Sequence, residues 1–559
     1  MKKLFLLIAL ASALLQGFSQ SQRLVLLEEF TSSTCGPCAG VNPTFHTWQV
    51  QNPDKFTSIY YHVNWPSPGD PMNLANPQEN AARVTYYGVN YVPESNLDGN
   101  YYNGSASGWN MTTVNNRYAM PSPLAVSVQH WISPGNDSVY STMLVKATGT
   151  VTGSLVAHNV IIEKWIHFNF PPGSNGEKDF YNVMKKMLPN ANGTPLPAEM
   201  NAGDYVLLEG AWKFGTVYDL TQIASVGFVQ NKNSKEVFNT GNSSTTPLVL
   251  PYNNDVQVLE ILNVPSKTCK NKINAVVKVR NNGNNTVTGM TIKYRVNNGD
   301  LSTVTWNGTL ASMKKVNISL PEYEFNILTN NDLVVYSVSP NNLADDYPKN
   351  DTLHFPIAAS AVTTNAIRLV LRTDNSPLET SWDVKNSLGT IIESSPVYTI
   401  NNKLYFDTIY LPQADCYTFT IYDSGNNGIC CSNGAGVYEI SSNGVVIRQG
   451  GQFASEEASE FLMPAPVGDA DQTGQLSLQI YPIPVTGSAR VNINLPSSGT
   501  AILNLMTALG QPVWSKNLGW LHEGSHVEQF ESGSLKAGIY LLQVKTENGI
   551  ITRKISILN

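Results

Sequence analysis

Hydrophobic and polar positions change rhythm near residue 123, and the two rhythms predict two kinds of structure. Before that point, residues 23–30 (RLVLLEEF) form a near-continuous apolar run that reads as a buried strand. A helix is expected over 39–51, a second strand over 56–63, and a second helix over 73–87 with Leu74, Ala81, Ala82 and Val84 on one side. Residues 89–99 then place Pro93 just ahead of a further strand. Strand, helix, strand, helix, strand is an α/β order. Beyond Pro123, residues 124–132, 139–150 and 155–170 alternate apolar with polar, as half-buried antiparallel strands do. Residues 180–188 read as a short interruption, followed by strands near 205–210 and 223–230.

The alternation continues after a polar junction at Asn253 and Asn254. Up to Ile357 there are about seven strand candidates, with Asn282-Gly283 and Asn298-Gly299 as turns, the spacing of an immunoglobulin-like sandwich. Residues 367–461 form a second β unit with Asn443-Gly444 as a hairpin turn. The stretch 463–474 (MPAPVGDADQTG) reads as a linker, and 476–559 is again strand-rich. A chain of 559 residues exceeds one core, which a length prior divides into about three to five domains. Charged residues make up only 14%, which favours strands and turns over long helices. The net charge of −7, with no basic cluster, leaves no electrostatic case for nucleic acid.

The N-terminus adds an address. Lys2 and Lys3 precede an uncharged apolar run from 4 to 15, and Gly17, Ser19 and Gln20 follow, the anatomy of a cleavable secretory signal cut near 19–21. The run is too short to span a bilayer, no cysteine sits nearby for a lipid anchor, and no later stretch approaches a transmembrane length. The mature chain is therefore expected to carry no membrane span.

Six cysteines remain: Cys35, Cys38, Cys269, Cys416, Cys430 and Cys431. An even, sparse set in an exported chain fits disulfides, with connectivity open. In Cys35-Gly36-Pro37-Cys38, a helix starting at the second cysteine would lower the pKa of the first thiol, so that Cys35 attacks and Cys38 resolves. Half a zinc site and a purely structural disulfide are the other readings of such a pair. No second CxxC or close histidine pair completes a zinc site.

Leu27-Glu28-Glu29-Phe30 followed by the CGPC motif resembles the thioredoxin active-site stretch. The resemblance implies that Glu29 is the buried acid serving the resolving cysteine, and that Val92-Pro93 is the family's cis-proline, set against the disulfide to hold an extended substrate. Thr34 stands where thioredoxins usually carry tryptophan. Residues 23–241 also resemble a Bacteroidetes family related to a 28-kDa outer-membrane protein, through EEFTSSTCGPC, Asp70-Pro71-Met72, NVMKKMLPNANGTPL and VGFVQNKNSKEVFN. That likeness implies a thioredoxin-like fold joined to a β-sandwich.

Cys416 leads through Tyr422-Asp423-Ser424-Gly425-Asn426-Asn427-Gly428 to Cys430-Cys431, and this resembles a repeat of large secreted bacterial proteins in which cysteine pins a glycine-rich loop to the preceding strand. The resemblance implies Cys416–Cys430 or Cys416–Cys431, leaving Cys269 free or joined to the leftover cysteine; a vicinal Cys430–Cys431 bridge is a further, strained alternative. The oxygens of Asp423, Asn426 and Asn427 raise a calcium site against a plain turn. A jelly-roll-like carbohydrate module with Trp382 or Tyr405 as a sugar platform is a further reading. Finally, Tyr481-Pro482-Ile483-Pro484, Ala508-Leu509-Gly510-Gln511-Pro512-Val513, residues 535–542 (LKAGIYLL) and Lys554-Ile555 together resemble the type A sorting domain of the type IX secretion system. It implies export across the outer membrane, to be released or held at the surface.

The expected organisation is thus multidomain, α/β plus all-β: signal 1–20, thioredoxin-like domain 21–122, joined β-sandwich 123–250, immunoglobulin-like sandwich 251–360, Cys/Gly-loop sandwich 361–463, linker 464–475 and sorting domain 476–559. Two functions remain open. One is a thiol–disulfide oxidoreductase outside the cell, acting on protein thiols or disulfides through Cys35, Cys38, Glu29 and Pro93. The other is a non-catalytic adhesin or binding protein whose CxxC is structural. No Gly-x-Ser-x-Gly elbow or HExxH motif supports a hydrolase.

Overall fold

The structure, a computed structural model, describes residues 20–465 and 476–558 except 534 and 548. The expected signal up to Ser19 and most of the linker lie outside the described residues. Strand accounts for 52% and helix for 10%, so the molecule is mostly β, with the helices concentrated before Pro123.

All seven residues of β1 (Val25–Thr31) are buried, because strands cover both its edges and side chains cover both its faces. β2 (Phe56–His62) pairs with it in parallel, and β3 (Glu94–Leu97) and β4 (Tyr102–Ser105) follow antiparallel on the other side, giving the order β2-β1-β3-β4. Alternation sorts the faces. Val25 and Leu27 pack with Phe45 of α1 (Gly36–Gln51), Trp109, and Val114 of α4 (Met111–Tyr118). Leu26 and Phe30 face Ile59, Tyr61, Val226 and Phe228.

The expected single helix over 73–87 is two: α2 (Pro71–Ala75) and α3 (Pro77–Tyr87). Asn76 ends the first and caps the second through the Glu79 amide, with Pro77 at the first helical position, where its missing N–H costs nothing. The expected apolar face is also corrected. Leu74, Ala81 and Ala82 are exposed, while Glu79, Asn80 and Arg83 are buried. Arg83 turns inward because it donates to Glu28 on β1 and to Gln230, and a buried charge must be paired.

The following strands are β5 (Leu124–Ile132), β6 (Ser138–Ala147), β7 (Leu155–His167), β8 (Asp179–Leu188), β9 (Tyr205–Lys213), β10 (Ile223–Asn231) and β11 (Val237–Ser244). They join the first four in one twelve-stranded sheet of order β9-β6-β5-β11-β10-β7-β8-β2-β1-β3-β4, with a short strand Thr194–Pro195 beside β7. β8 makes the join through Tyr60↔Val183. The reading of 180–188 as an interruption is therefore wrong. A strand in the middle of a sheet is covered on both faces, and its burial erases the alternation that marks half-buried strands.

Beyond Leu250, a three-stranded and a five-stranded sheet enclose one core between Val256 and Ile357. Five-stranded and four-stranded sheets enclose another between Ile367 and Phe461. The described residues after 475 fold around a third such core within a seven-stranded sheet.

Candidate functional site: a dithiol pair at a helix N-terminus

The chain leaves the C-terminal end of β1, turns through Ser32, Ser33 and Thr34, and enters α1. Cys35 is the N-cap, and its Sγ accepts the Cys38 amide at 3.2 Å. Cys35 and Cys38 form a disulfide. Pro37 lies in the first turn, which holds no acidic residue to offset the positive end of the helix. On reduction, that end and the Cys38 amide would favour the Cys35 thiolate. Gly36 and Pro37 are exposed, whereas Cys35 and Cys38 are only 1% and 0% accessible.

Glu29 stands on β1 level with Tyr60 of β2 and Ser95 of β3, on the face shared with Val25 and Leu27 that α1 covers. The Ser95 hydroxyl donates to Oε2, and Oε1 has no hydrogen-bond partner. Burial pushes the Glu29 carboxyl well above the usual carboxylate range, which the Ser95 bond only partly offsets. The Val92–Pro93 bond is cis. Phe30 pairs with Glu94, so Pro93 is level with Thr31 at the end of β1 from which the cysteine loop springs.

Several residues that sequence reasoning missed surround this loop. Asp70 caps α2 through the amides of Met72 and Asn73, accepts the Ser33 amide at 2.7 Å, and lies 2.8 Å from His62 Nδ1. Burial works to raise its pKa, but His62 and these hydrogen bonds outweigh it and hold the carboxyl down at about 2. Asp-Pro at a helix start was the available signal for the cap; its reach to Ser33 was not. Thr34 donates to the Ser67 carbonyl. From the connection between β7 and β8, Asn175 donates to the carbonyls of Ser32 and Cys35, and Glu177 accepts from Asn42 of α1. Burial raises the Glu177 carboxyl.

The second cysteine cluster corrects the expected pairing. Cys416 bonds Cys269, and Cys430 bonds Cys431. Cys416 opens the strand Asp415–Asp423 beside Leu462, while the glycine loop begins at its far end, about 23 Å along at strand rise. Cys269 instead follows Thr268, paired with Ala359, so both partners sit where the two modules meet. Asp423 is buried and its Oδ2 accepts the amides of Asn427 and Gly428, while Asn426 is exposed with φ of 66°. Those bonds account for the pattern as a turn. Trp382 is core, 2% accessible with its indole N–H on Tyr398, so it offers no sugar platform. Among the described residues, one set of three Cys, His or acidic groups has ligand atoms within 4.8 Å of one another: Cys269, Cys416 and Glu460, two of them already in the disulfide.

Residues 479–558 match the family of secretion system C-terminal sorting domains. The protein is exported through the type IX system to the cell surface or beyond, and its tail engages that machinery. Among the described residues no helix is long and apolar enough to cross a membrane. No curated protein sequence matches the chain. Of solved structures, HBP35 of Porphyromonas gingivalis aligns with 60% of this chain and 98% of its own at 13% identity, TM-score 0.33. The CARDB domain of a Pyrococcus furiosus protein, solved in complex with di-metal ions, aligns with 20% of this chain and 94% of its own at 17% identity, TM-score 0.17. Dimeric latent PorU from P. gingivalis aligns with 58% of this chain and 36% of its own at 10% identity, TM-score 0.14. Likenesses this loose carry no statement about activity.

Proposed function

We propose that the N-terminal unit is a thioredoxin-like thiol–disulfide oxidoreductase that works outside the cell through Cys35 and Cys38. The observation that carries this reading is the placement of Cys35 Sγ at the N-terminus of α1, on the Cys38 amide, with an acid, Glu29, whose Oε1 has no hydrogen-bond partner, buried on the face that the same helix covers. The strand order β2-β1-β3-β4, with β3 antiparallel to β1, supports it, since that is the order of the thioredoxin core. In the reduced protein the Cys35 thiolate attacks a substrate disulfide, forming a mixed disulfide as one substrate thiolate leaves. Cys38 passes its proton to Glu29, and its thiolate attacks the Cys35 sulfur and expels the second substrate thiolate. Two electrons pass to the substrate, and the protein ends as the disulfide. A purely structural bridge is the second reading, and the 1% accessibility of Cys35 favours it.

The test is reduction of insulin by the mature protein with dithiothreitol as electron source, beside Cys35→Ser and Cys38→Ser. Activity lost in both variants is the expected result. A wild type that is inactive although its Cys35–Cys38 bridge has been reduced would remove the oxidoreductase reading.

A further inference from the structure

The backbone on either side of Cys35 is held by a segment from elsewhere in the chain. Residues 168–178, the connection between β7 and β8, lie along the backbone that leads into the dithiol and take up four successive carbonyls. The Asn175 amide N–H donates to Ser33 O at 3.1 Å. Its side-chain Nδ2 lies 3.1 Å from Ser32 O and 3.2 Å from Cys35 O, and Ser174 Oγ lies 3.4 Å from Thr34 O. Gly173 is pressed so close that a Cβ there would stand 2.2 Å from Ser33 O. Glu177 ties the segment down a second time, accepting from Asn175 Nδ2 and from Asn42 Nδ2 of α1. The base is closed by Phe168 N–H on Lys178 O. Farther from the dithiol, the Phe170 ring is 82% exposed.

Apart from Phe168, whose ring packs against Phe180 and Tyr218 at the base, the segment is held to the dithiol loop by hydrogen bonds. The segment sits on the dithiol loop through polar contacts centred on one side chain, and such contacts each contribute little net stability and exchange readily with water. Short connections with this character open on the timescale of loop motion and decide which molecules reach a site. A small dithiol needs only the sulfur itself. A protein substrate must also bring backbone alongside Cys35, where residues 174 and 175 already hold the carbonyls of residues 32–35.

We propose that residues 168–178 are a specificity gate over Cys35–Cys38, with Asn175 as its latch: it slows exchange with protein dithiols while leaving small dithiols nearly unaffected. The gate rests on the oxidoreductase reading for its purpose but not for its existence. In the exchange that tests it, two thiols of the probe become a disulfide and Cys35–Cys38 becomes two thiols, so electrons and protons balance.

The experiment follows reduction of Cys35–Cys38 in the full mature protein, with dithiothreitol and with a reduced thioredoxin as the two probes. The new thiols are trapped by alkylation and assigned by peptide mass. Asn175→Ala should raise the rate with the protein probe about tenfold and the rate with dithiothreitol less than about twofold. Glu177→Gln, which keeps the Asn175 contacts to the carbonyls, should give a smaller rise of the same selectivity. Gly173→Ala, which forces the segment off Ser33, is the independent route should Asn175→Ala fail to fold. Unchanged rates with both probes, or equal rises with both, overturn the gate. Insulin reduction is scored separately. If the variants open the disulfide to the protein probe yet no form reduces insulin, the gate stands and the oxidoreductase reading falls.

Discussion

Removing the Cys269–Cys416 bridge by Cys269→Ala/Cys416→Ala is predicted to destabilise both modules that it joins. The cysteines are 147 residues apart, and closing a loop of that length removes entropy from the unfolded chain equivalent to about 5 kcal/mol at 25 °C in the chain-entropy treatment. The modules need not unfold together, so the shorter loops matter as well. Thr268 pairs with Ala359 and Ser360 donates to Thr268 O, which puts Cys269 beside the point where the chain crosses into the next module. If only the second module opens, the bridge closes roughly 55 residues between that crossing and Cys416, still worth about 4 kcal/mol. If only the first opens, the loop is roughly 90 residues and the figure lies between the two. Loss of buried packing is small beside this, because alanine keeps the Cβ. Calorimetry or urea titration of the mature wild type and double variant, without reductant, should show a fall of about 4 to 5 kcal/mol in whichever of these transitions comes first. A fall below about 0.5 kcal/mol would refute the reasoning, because it would mean that the unfolded modules gain no freedom when the bridge is gone.

Three further outcomes are expected. Glu29→Gln should stabilise the protein at neutral pH: with its folded pKa raised, Glu29 favours the folded state at low pH and loses that contribution as pH climbs above the ordinary carboxylate range, so the wild-type melting temperature should fall with pH more steeply than the variant's. Asp70→Asn has the opposite sign. A carboxyl held at about 2 contributes stability above its unfolded pKa of about 4 and loses it between about 4 and 2, and replacing it should cost about 1 to 2 kcal/mol at pH 7 and flatten acid unfolding in that window. Deleting residues 476–559 should leave the protein inside the outer membrane, measured by fractionating cells and medium; surface or medium levels equal to the full chain would contradict the role of the tail.

What could be read from the sequence was local. The apolar strand, the CxxC and the helix that follows are neighbours in the chain, and so are the spaced motifs of the tail. Errors arose where tertiary contacts overrode a local pattern. Arg83 is buried on α3 because Glu28, fifty-five residues earlier, needs a partner. Asp179–Leu188 is a strand although it does not alternate, because it lies inside the sheet and α1 and α3 pack against it. The resemblance to a cysteine-pinned loop pairs Cys416 with Cys430 or Cys431, whereas strand length carries those out of reach and the adjoining module supplies Cys269. Asn175 and Glu177 carry no motif at all; only the fold brings them to Cys35, 140 residues away.

The bridge between Cys269 and Cys416 also decides how the chain answers tension. A protein sent to the cell surface can be held near its tail while something bound to its N-terminal unit pulls. Force travelling along the backbone would normally enter both modules and could draw out everything between the two cysteines, on the order of 500 Å of slack for that length of chain. With the bridge in place the load passes from residue 269 to residue 416 through a covalent bond, and the strands between them are bypassed. The stretch between the two cysteines becomes a link of fixed length, while the strands before Cys269 and after Cys416 still carry the load, and that link is lost on exposure to a reductant strong enough to open the bridge.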